Sequence, residues 1–540
     1  MIQSTTATTT ARAASRRIRP RTLVITALGL ASAVVLAGCS AGETDSFGSS
    51  AGSDSFKVVV LQGYSTPPDP DINYDGPGLN IIESTYEGLV AYADGQDTAE
   101  VVPELATEWT VSEDGLTYSF TLREGVTFHD GTEFTADAVI ASFERRTAVD
   151  GGPAYMVGDV TSVTKVDDYS VDVTLAAPNS AFIDYLASPF GLKMISPTVL
   201  EEQAGDDFAQ TYLTTNDAGT GPYELTSVDT GVSYELTASD TYWGDTPEFT
   251  TVSIEISDNA SATQLRLERG EIDGVLGNLN KTTFAAFEAD DSVEATTFPN
   301  FTTQMIYMNP ESSIFTTTDD RATLFAGIDT ETVIDNAMGS LEVPTSQLFP
   351  ATMLDSSADD QGVTYDEDAL QSIVDSGIAA GKTVRIGYPA TSADAAAVAQ
   401  ELGATLSSAG LPTEAVSLGA GSVYSMTDDL AAAPDLVIMA AFPDAAHVDA
   451  WARIIYTPNG GLDLLGAEVP GLNDALDAAL LEDNLDAYSD IATSIIDSKF
   501  WYSIGSLQTT TVTRTGVTGI DEARNLLEYN VLHFAALGNE

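Results

Sequence analysis

The sequence predicts an α/β protein built from more than one lobe. Its 540 residues exceed what one hydrophobic core usually organises, because chains beyond roughly 250–300 residues divide into domains. Residues 382–388 and 434–439 have the composition of buried strands, and residues 394–409 between them have the pattern of a helix that ends at Gly410. This order is typical of a β-α-β unit, so we expect an α/β lobe in the second half of the chain.

Residues 103–146 predict a short meander of strands. Gly115 and Gly125 lie in sequences typical of tight turns, where glycine supplies positive φ. Val126 and Phe128 are expected to begin a second short strand. In the first strand, apolar residues alternate with small polar ones at the period of two that is typical of a half-buried strand, at Leu116, Tyr118, Phe120 and Leu122.

A helix is expected to follow this meander. Thr135 is a favourable N-cap residue, and Asp137 stands where the positive end of the helix dipole stabilises a negative charge. Phe134 and Val139 have the spacing of a hydrophobic staple across the start of the helix. These signals predict strands followed by a helix, and they indicate no functional residue.

The composition is that of a soluble globular protein with an unusually acidic surface. Its 81 acidic residues outnumber 21 basic ones, which gives a formal net charge of −60. Such a surface repels phosphate groups, so we expect no nucleic-acid partner. Adaptation to salt and plain solubility both account for this charge, and we favour the second interpretation.

The N-terminus predicts a lipoprotein signal peptide. Residues 1–21 contain five arginines and no acidic residue, and residues 22–37 are an apolar run too short for a comfortable membrane span of ~20 residues. The run ends in a Leu-Ala-Gly-Cys sequence that resembles a lipobox, in which Cys39 would carry a diacylglycerol. Cys39 is the single cysteine, so an internal disulfide is excluded. A chance cysteine after an ordinary secretion signal is the alternative.

The sequence contains no recognisable catalytic or metal-binding motif. His129, His447 and His533 lie far apart, and none has a second His or Cys at metal-ligand spacing. Zinc-protease, P-loop, C-x-x-C and dinucleotide-binding patterns are absent. We therefore predict that the chain is not an enzyme and holds no metal or cofactor.

Residues 103–146 closely resemble the signature of a known family, the extracytoplasmic solute-binding proteins of ABC importers, family 5 (dipeptide/oligopeptide/nickel-binding class). The matching words are LATEW, EDGLTYSFTLREGV, FHDG and FTADAV. GTGPY at 219–223, YWG at 242–244 and GEID at 270–273 resemble further words of the family. The resemblance covers most of residues 56–540 and becomes patchy in the second half.

The resemblance implies a two-lobed α/β periplasmic-binding-protein type II (cluster C) fold with an extra subdomain in the first lobe. Residues between the first strand and the meander, and those that return at the C-terminus, would then belong to one lobe. The expected division is a signal peptide at 1–38, a flexible tether at 39–55, lobe I at 56–85 with 200–297 and 505–540, its extra subdomain at 86–199, and lobe II at 298–504.

The resemblance also implies a ligand site between the lobes. In the family, an acidic residue after a strand of the second lobe pairs with the ligand ammonium group, and Asp444 falls at that position. The alternative is that Asp444 caps the following helix. Phe442 and Trp451 are candidates to line the cleft, and Tyr64 and Ser65 are candidates on the other lobe. Aromatic residues after strands more often belong to the core, so that alternative stays open.

The resemblance finally implies a receptor that captures a small solute, with peptides as the first choice. Its partners would be an ABC permease and ATPase complex, and the anchor on Cys39 would hold it as a monomer on the outer face of the cytoplasmic membrane. Ala441 and Val448 stand where the family has Trp and Pro, which leaves the peptide specificity open. A nickel chelate, a sugar or an opine-like solute is the alternative within the class. A surface hydrolase or adhesin is the alternative outside it.

Overall fold

The computed structural model describes residues 54–61, 66–277, 279–354, 360–458, 460–482 and 485–540. The expected signal peptide, Cys39 and nearly all of the expected tether lie outside the described residues, as do Tyr64 and Ser65. Among the described residues, no helix has both the length and the apolar content needed to cross a membrane.

The strands are numbered in chain order. They are β1 (Ser55–Val60), β2 (Val90–Tyr92), β3 (Val101–Pro103), β4 (Ala106–Val111), β5 (Thr117–Leu122), β6 (Val160–Asp167), β7 (Ser170–Leu175), β8 (Tyr223–Asp229), β9 (Ser233–Ala238), β10 (Thr251–Ile256), β11 (Gly274–Leu276), β12 (Val293–Met308), β13 (Glu342–Pro344), β14 (Val384–Pro389), β15 (Thr413–Leu418), β16 (Leu436–Ala441), β17 (Trp501–Arg514), β18 (Val517–Thr518) and β19 (Gly538–Asn539).

The helices are numbered in the same way. They are α1 (Leu79–Thr85), α2 (Ala136–Val149), α3 (Phe182–Ala187), α4 (Pro197–Gln203), α5 (Gln210–Leu213), α6 (Ala260–Glu268), α7 (Lys281–Glu288), α8 (Thr318–Ala326), α9 (Thr330–Ala337), α10 (Ala369–Ser376), α11 (Ala393–Ser408), α12 (Ala420–Val423), α13 (Val448–Tyr456), α14 (Leu472–Glu482) and α15 (Leu485–Ser498).

A mixed sheet of eleven strands forms the centre of the described structure. Its order is β15-β14-β16-β12-β17-β11-β1-β10-β9-β8, and β13 pairs with β17 beside this path. The long strands β12 and β17 run antiparallel, from Val293 opposite Arg514 to Tyr307 opposite Trp501. This pair therefore joins the half of the sheet that contains β14–β16 to the half that contains β1 and β8–β11. Its register shifts between Pro299 and Thr303.

The predicted β-α-β unit is present at one end of this sheet. Strand β14 pairs in parallel with both β15 and β16, and α11 follows β14 as expected. The sequence analysis missed β15, which lies between α11 and β16 in the chain. Only Leu418 of β15 is buried, because β15 is an edge strand with few apolar neighbours, so it lacks the apolar run that marks β14 and β16.

The predicted meander forms part of a second, antiparallel sheet with the order β4-β5-β7-β6. In β5, the side chains of Tyr118, Phe120 and Leu122 are buried and those between them are not, which confirms the alternation. The predicted strand at Val126–Phe128 is wrong. There the chain makes a compact turn with a single bridge between Thr127 and Glu133, although both apolar side chains are buried.

The helix predicted after the meander is α2. It begins directly after Thr135, but the Thr135 side chain makes no capping hydrogen bond. Phe134 and Val139 are fully buried in the same apolar cluster, as a staple requires. The start of α2 is therefore fixed mainly by apolar packing.

The expected domain boundaries stay a prediction. The four strands of the antiparallel sheet lie within 86–199, and β14, β15 and β16 lie within 298–504. Two of the proposed cuts, however, fall inside regular strands, because β12 runs through residue 298 and β17 runs through residue 505. Near both positions the pairing of β12 with β17 shifts register, between Pro299 and Thr303 and again between Gln304 and Met305.

Buried ion pairs connect α2 to the segment before α1. Arg145 donates to Asp69 at 2.6 and 2.9 Å and to Asp71 at 2.5 Å, and Arg146 donates to Asp71 through Nε. These four side chains are at most 3% exposed. Arg146 also donates to the carbonyl oxygen of Phe190 at 3.0 Å. A buried ion pair is tolerated only when its remaining donors and acceptors are satisfied, and these contacts meet that condition.

Arg146→Met is expected to lower the free energy of unfolding by about 3–5 kcal/mol, because it leaves the Asp71 carboxylate buried without one of its partners. Lys165→Met is the matched control, since the pair of Lys165 with Asp137 is partly exposed and is expected to contribute below about 1 kcal/mol. Urea unfolding followed by circular dichroism measures both variants. Equal losses in the two would contradict a special role for the buried pairs.

Candidate functional site

A cavity of about 830 Å³ lies at the carboxyl end of β16. Ligand pockets for small molecules commonly have volumes of about 300–1,000 Å³. Its walls come from four parts of the chain: the segment before α1, the stretch from Tyr155 to Phe190, Tyr424 after α12, and the stretch from β16 to Leu462. The lining includes Tyr74, Asp75, Tyr155, Tyr185, Phe190, Met439, Ala440, Phe442, Asp444, Arg453, Ile454 and Leu462.

Asp444 is the acidic group of this cavity. It is 5% exposed and accepts hydrogen bonds from the hydroxyl groups of Tyr74 and Tyr155, both at 2.5 Å. Burial raises the pKa of Asp444, and these two hydrogen bonds offset the shift only in part. The described residues place no positively charged side chain on Asp444. Its carboxylate is therefore oriented by neutral donors and is suited to accept a cationic group from the cavity.

The alternative that Asp444 caps α13 is wrong. The N-cap residue of α13 is His447, whose side chain accepts a hydrogen bond from the backbone N–H of Asp449 at 3.2 Å. Asp444 lies one turn earlier and is aimed at the two tyrosine hydroxyls instead.

The two predicted aromatic residues of this region have different positions. Phe442 is half-buried, lines the cavity and packs against Phe190 with ring centroids 6.2 Å apart. Trp451 is fully buried and donates to the carbonyl oxygen of Leu348 at 3.2 Å, so the structure places it in the core and not on the cavity wall. On α13 the positions that face the cavity are 450, 453, 454 and 457, which follow the helical period and exclude 451.

Arg453 brings a positive charge to the cavity wall. Its guanidinium binds Asp449 at 2.6 Å and Asp477 at 2.9 Å, so its charge is balanced by two carboxylates. It is oriented by these partners and does not reach Asp444 in the described contacts.

Tyr74 and Tyr155 were missed by the sequence analysis. Both lie in irregular segments, where no periodic pattern indicates which way a side chain points. The available signal was the pair Gly151-Gly152 just before Tyr155. A Cβ atom on Gly152 would lie 2.8 Å from the Tyr74 ring, and one on Gly151 would lie 2.1 Å from the carbonyl oxygen of Asp71. The two glycines are therefore required to bring the turn that carries Tyr155 against Tyr74.

A second, smaller cavity of about 310 Å³ lies elsewhere and contains many ionisable groups. Lys193 binds Glu83 at 2.8 Å, and His533 binds Asp94 at 2.7 Å and Glu528 at 2.8 Å. Ligand atoms of Glu83, Glu528 and His533 lie within 4.8 Å of one another, a spacing that a metal ion would accept. Glu83, Glu528 and His533 each take part in an ion pair. The contacts observed here are therefore those of a network of paired charges.

Burial raises the pKa of the carboxyl groups in this network. Desolvation raises the pKa of Glu83 and Glu87 to about 7 and the pKa of Glu104 to about 8, against the opposing attraction of Lys193. The folded protein therefore binds protons there that the unfolded chain releases near pH 4.5.

Comparison with known proteins identifies the family. The sequence model described as bacterial extracellular solute-binding proteins, family 5 Middle, matches residues 100–463. The chain belongs to this family. Its members are extracytoplasmic transport receptors, and this kinship confirms the prediction that the chain is not an enzyme.

One curated relative is described as binding dipeptides. The probable D,D-dipeptide-binding periplasmic protein DdpA of Escherichia coli (strain K12) is 30% identical over 287 residues, which cover 52% of this chain and 55% of that protein. The chain thus matches about half the length of this curated relative.

Two solved structures show the likeness of fold. NikA from Brucella suis in complex with Fe(III)-EDTA has a TM-score of 0.79 at 19% identity, covering 90% of this chain and 100% of that one. DppA from Helicobacter pylori in complex with the peptide STSA has a TM-score of 0.75 at 20% identity, covering 90% and 98%. These matches confirm the predicted type II periplasmic-binding-protein fold.

The free energy of unfolding is expected to fall as the pH rises from about 5 to about 8, because the raised pKa values make the native state bind more protons than the unfolded state in this window. Glu104→Gln removes one of these groups. The free energy of unfolding of this variant should therefore fall less steeply with pH, by up to about 1.4 kcal/mol per pH unit. Urea titrations at several pH values measure the slope, with the exposed Glu100→Gln as control. Parallel slopes for wild type and Glu104→Gln would refute the assignment.

Proposed function

We propose that the protein is the solute-binding receptor of an ABC importer and that it captures peptides in the cavity of Asp444. The observation that carries the proposal is a nearly fully buried carboxylate on the cavity wall that has neutral donors and no positive partner among the described residues. An incoming α-ammonium group supplies the missing charge. A hydrogen bond between two charged groups is roughly twice as strong as a neutral one.

The rest of the cavity suits side chains of varied size. Phe190, Phe442 and Leu462 give it an apolar lining, and the edges of Tyr155 and Tyr185 combine apolar surface with hydroxyl groups. Broad apolar walls around one oriented charge favour ligands that share an amine and differ elsewhere, as peptides do.

The comparisons support a peptide ligand and one alternative. The Escherichia coli relative is described as binding D,D-dipeptides, and the Helicobacter pylori structure holds a peptide. The Brucella suis structure holds a metal chelate, Fe(III)-EDTA. A nickel-chelate ligand, or another non-peptide solute, is therefore the second candidate, and it agrees with Ala441 and Val448 in place of the Trp and Pro of the family's peptide-binding pattern.

The proposed mechanism is closure of the two halves of the molecule over the ligand. Tyr74 and Tyr155 contribute one wall of the cavity, and β16 and α13 contribute the other. A ligand that contacts both walls only in the closed state shifts the population toward that state, which the permease then recognises. The irregular register of β12 between Pro299 and Thr303 is the proposed hinge.

The proposed location is the outer face of the cytoplasmic membrane. Cys39 would carry the lipid, and the Gly/Ser-rich segment at 39–55 would let the receptor reach its permease and ATPase complex as a monomer. The lipobox-like sequence and the charge pattern before it support this part of the proposal.

Asp444→Ala is expected to weaken the binding of peptides with a free amine by about 10- to 100-fold, because it removes a charged hydrogen-bond acceptor. N-acetylated peptides should lose far less. Isothermal titration calorimetry with a peptide pool and its acetylated counterpart measures the difference, and the exposed Asp291→Ala is the control. Equal losses for the two peptide sets would remove the ammonium-binding role.

Cys39→Ala is expected to release the protein from the membrane fraction into the soluble fraction, because lipid attachment requires the thiol. Membrane fractionation followed by immunoblotting measures the change. Retention of the variant on membranes would refute lipid anchoring through Cys39. A Ser40→Ala variant, which keeps the thiol, is the control and should remain anchored.

A further inference from the structure

The Asp444 loop, residues 442–447, joins β16 to α13. The loop is largely buried, and it begins where the strand pairing of β16 ends. Buried backbone N–H and C=O groups need hydrogen-bond partners. Two of those in this loop are bound by the side chains of Tyr92 and Ser188, which lie far away in the chain. Neither side chain belongs to the lining of the 830 Å³ cavity.

Tyr92 binds the loop through its hydroxyl group. It is the last residue of β2 and is 4% exposed. The backbone N–H of Ala446 donates to the Tyr92 hydroxyl oxygen at 2.9 Å, and the hydroxyl itself donates to Oδ1 of Asp184 at 2.9 Å. A hydroxyl group has a single proton, so its donation to Asp184 in α3 leaves the oxygen as the acceptor for Ala446. The orientation of Tyr92 is therefore fixed from both sides.

Ser188 binds the loop at Asp444 itself. Its hydroxyl donates to the backbone carbonyl oxygen of Asp444 at 2.5 Å and accepts from the backbone N–H of Phe190 at 3.1 Å. Ser188 is 1% exposed, and Phe190 lies on the cavity wall. One hydroxyl group therefore connects the backbone that carries the acid to the backbone that carries an apolar residue of the facing wall.

Both contacts cross the cleft. Tyr92 and Ser188 lie in the same stretch of chain as Tyr155, at 86–199, whereas the Asp444 loop follows β16 of the eleven-stranded sheet. A third crossing contact joins the backbone N–H of Ser180 to the carbonyl oxygen of Leu480 in α14, at 3.2 Å. An opening that moves the two walls apart breaks these hydrogen bonds, so they stabilise the closed form and contribute nothing to the open one.

We propose that Tyr92 and Ser188 are positioning residues for solute binding, which hold the backbone of the Asp444 loop and thereby stabilise the closed form of the receptor. The inference rests on the proposed function, because it assumes that the cleft closes over a solute held at Asp444. The apparent affinity of a site that is complete only in one form is proportional to the fraction of protein in that form. Loss of either hydroxyl group therefore weakens the binding of every solute by the same factor.

This effect differs from that of the Asp444 carboxylate. The carboxylate is proposed to bind the solute amine, so its removal changes the preference for a free amine over an acetylated one. Tyr92 and Ser188 act on the closed form as a whole. Their removal lowers both affinities and leaves the ratio between them unchanged.

The test measures the binding of trialanine and N-acetyl-trialanine by isothermal titration calorimetry, with competition titrations for the weaker ligand. Tyr92→Phe and Ser188→Ala each remove a hydroxyl group without adding volume. Each variant is expected to weaken both peptides by about 3- to 10-fold, the effect of one neutral hydrogen bond, at an unchanged ratio of the two affinities.

Tyr223→Phe and Ser142→Ala are the matched controls. Both hydroxyl groups belong to fully buried residues. The Tyr223 hydroxyl donates to the carbonyl oxygen of Phe249 at 2.9 Å. The Ser142 hydroxyl donates to the carbonyl oxygen of Ala138 at 2.8 Å and accepts from the backbone N–H of Ile195 at 3.0 Å. These contacts do not cross the cleft, so the controls should lose melting temperature as the test variants do and change either affinity by less than about twofold.

Three results overturn the inference while the peptide function stands. They are an unchanged affinity in either test variant, an equal loss of affinity in the controls, and a loss confined to trialanine, which would indicate a contact with the amine.

If neither peptide binds wild type, the peptide function fails, and small-angle X-ray scattering of the ligand-free protein decides the inference. A larger radius of gyration in the double variant Tyr92→Phe/Ser188→Ala than in wild type and in the double control Tyr223→Phe/Ser142→Ala supports it. Equal radii in the three proteins overturn it.

Discussion

Arg146 inserts its guanidinium between Asp71 and a set of backbone carbonyl groups, and this buried contact sets the shape of the cavity wall. Two of these carbonyls belong to Pro153, two residues before Tyr155, and to Phe190, which lies on the cavity wall; the others belong to Pro70 and Gly191. Asp71 belongs to the segment that carries Tyr74. One charge cluster therefore positions both tyrosines whose hydroxyl groups orient Asp444, although it lies outside the cavity.

Buried charges in the scaffold are paired with opposite charges, whereas the buried acid of the cavity is not. The ions that hold the scaffold, such as Arg145 and Asp69, are fully paired. The acid at the cleft, Asp444, has neutral donors and no cationic partner among the described residues. A buried acid without a cation reduces stability, so the presence of Asp444 on the cavity wall favours a site that is completed by its ligand.

Much of the fold follows from local sequence, and little of the site does. The alternation in β5, the start of α2 and the β14-α11 unit depend on neighbouring residues, so periodicity and the Phe134–Val139 staple predicted them. Asp444 was found through family spacing. Tyr155 was missed because its role depends on a long-range contact with Asp444, which no local pattern records. Trp451 was misplaced because the facing of α13 depends on packing.

The shared strands β12 and β17 have a consequence for how the molecule can be divided. Each contributes paired residues to both halves of the sheet, so a cut at residue 298 or 505 would strip backbone hydrogen bonds from both sides at once. Separate expression of either lobe would leave an open sheet edge, which promotes aggregation. We therefore expect the two halves to fold and unfold as one cooperative unit. They can bend relative to each other about β12 and β17, but neither half is expected to fold alone.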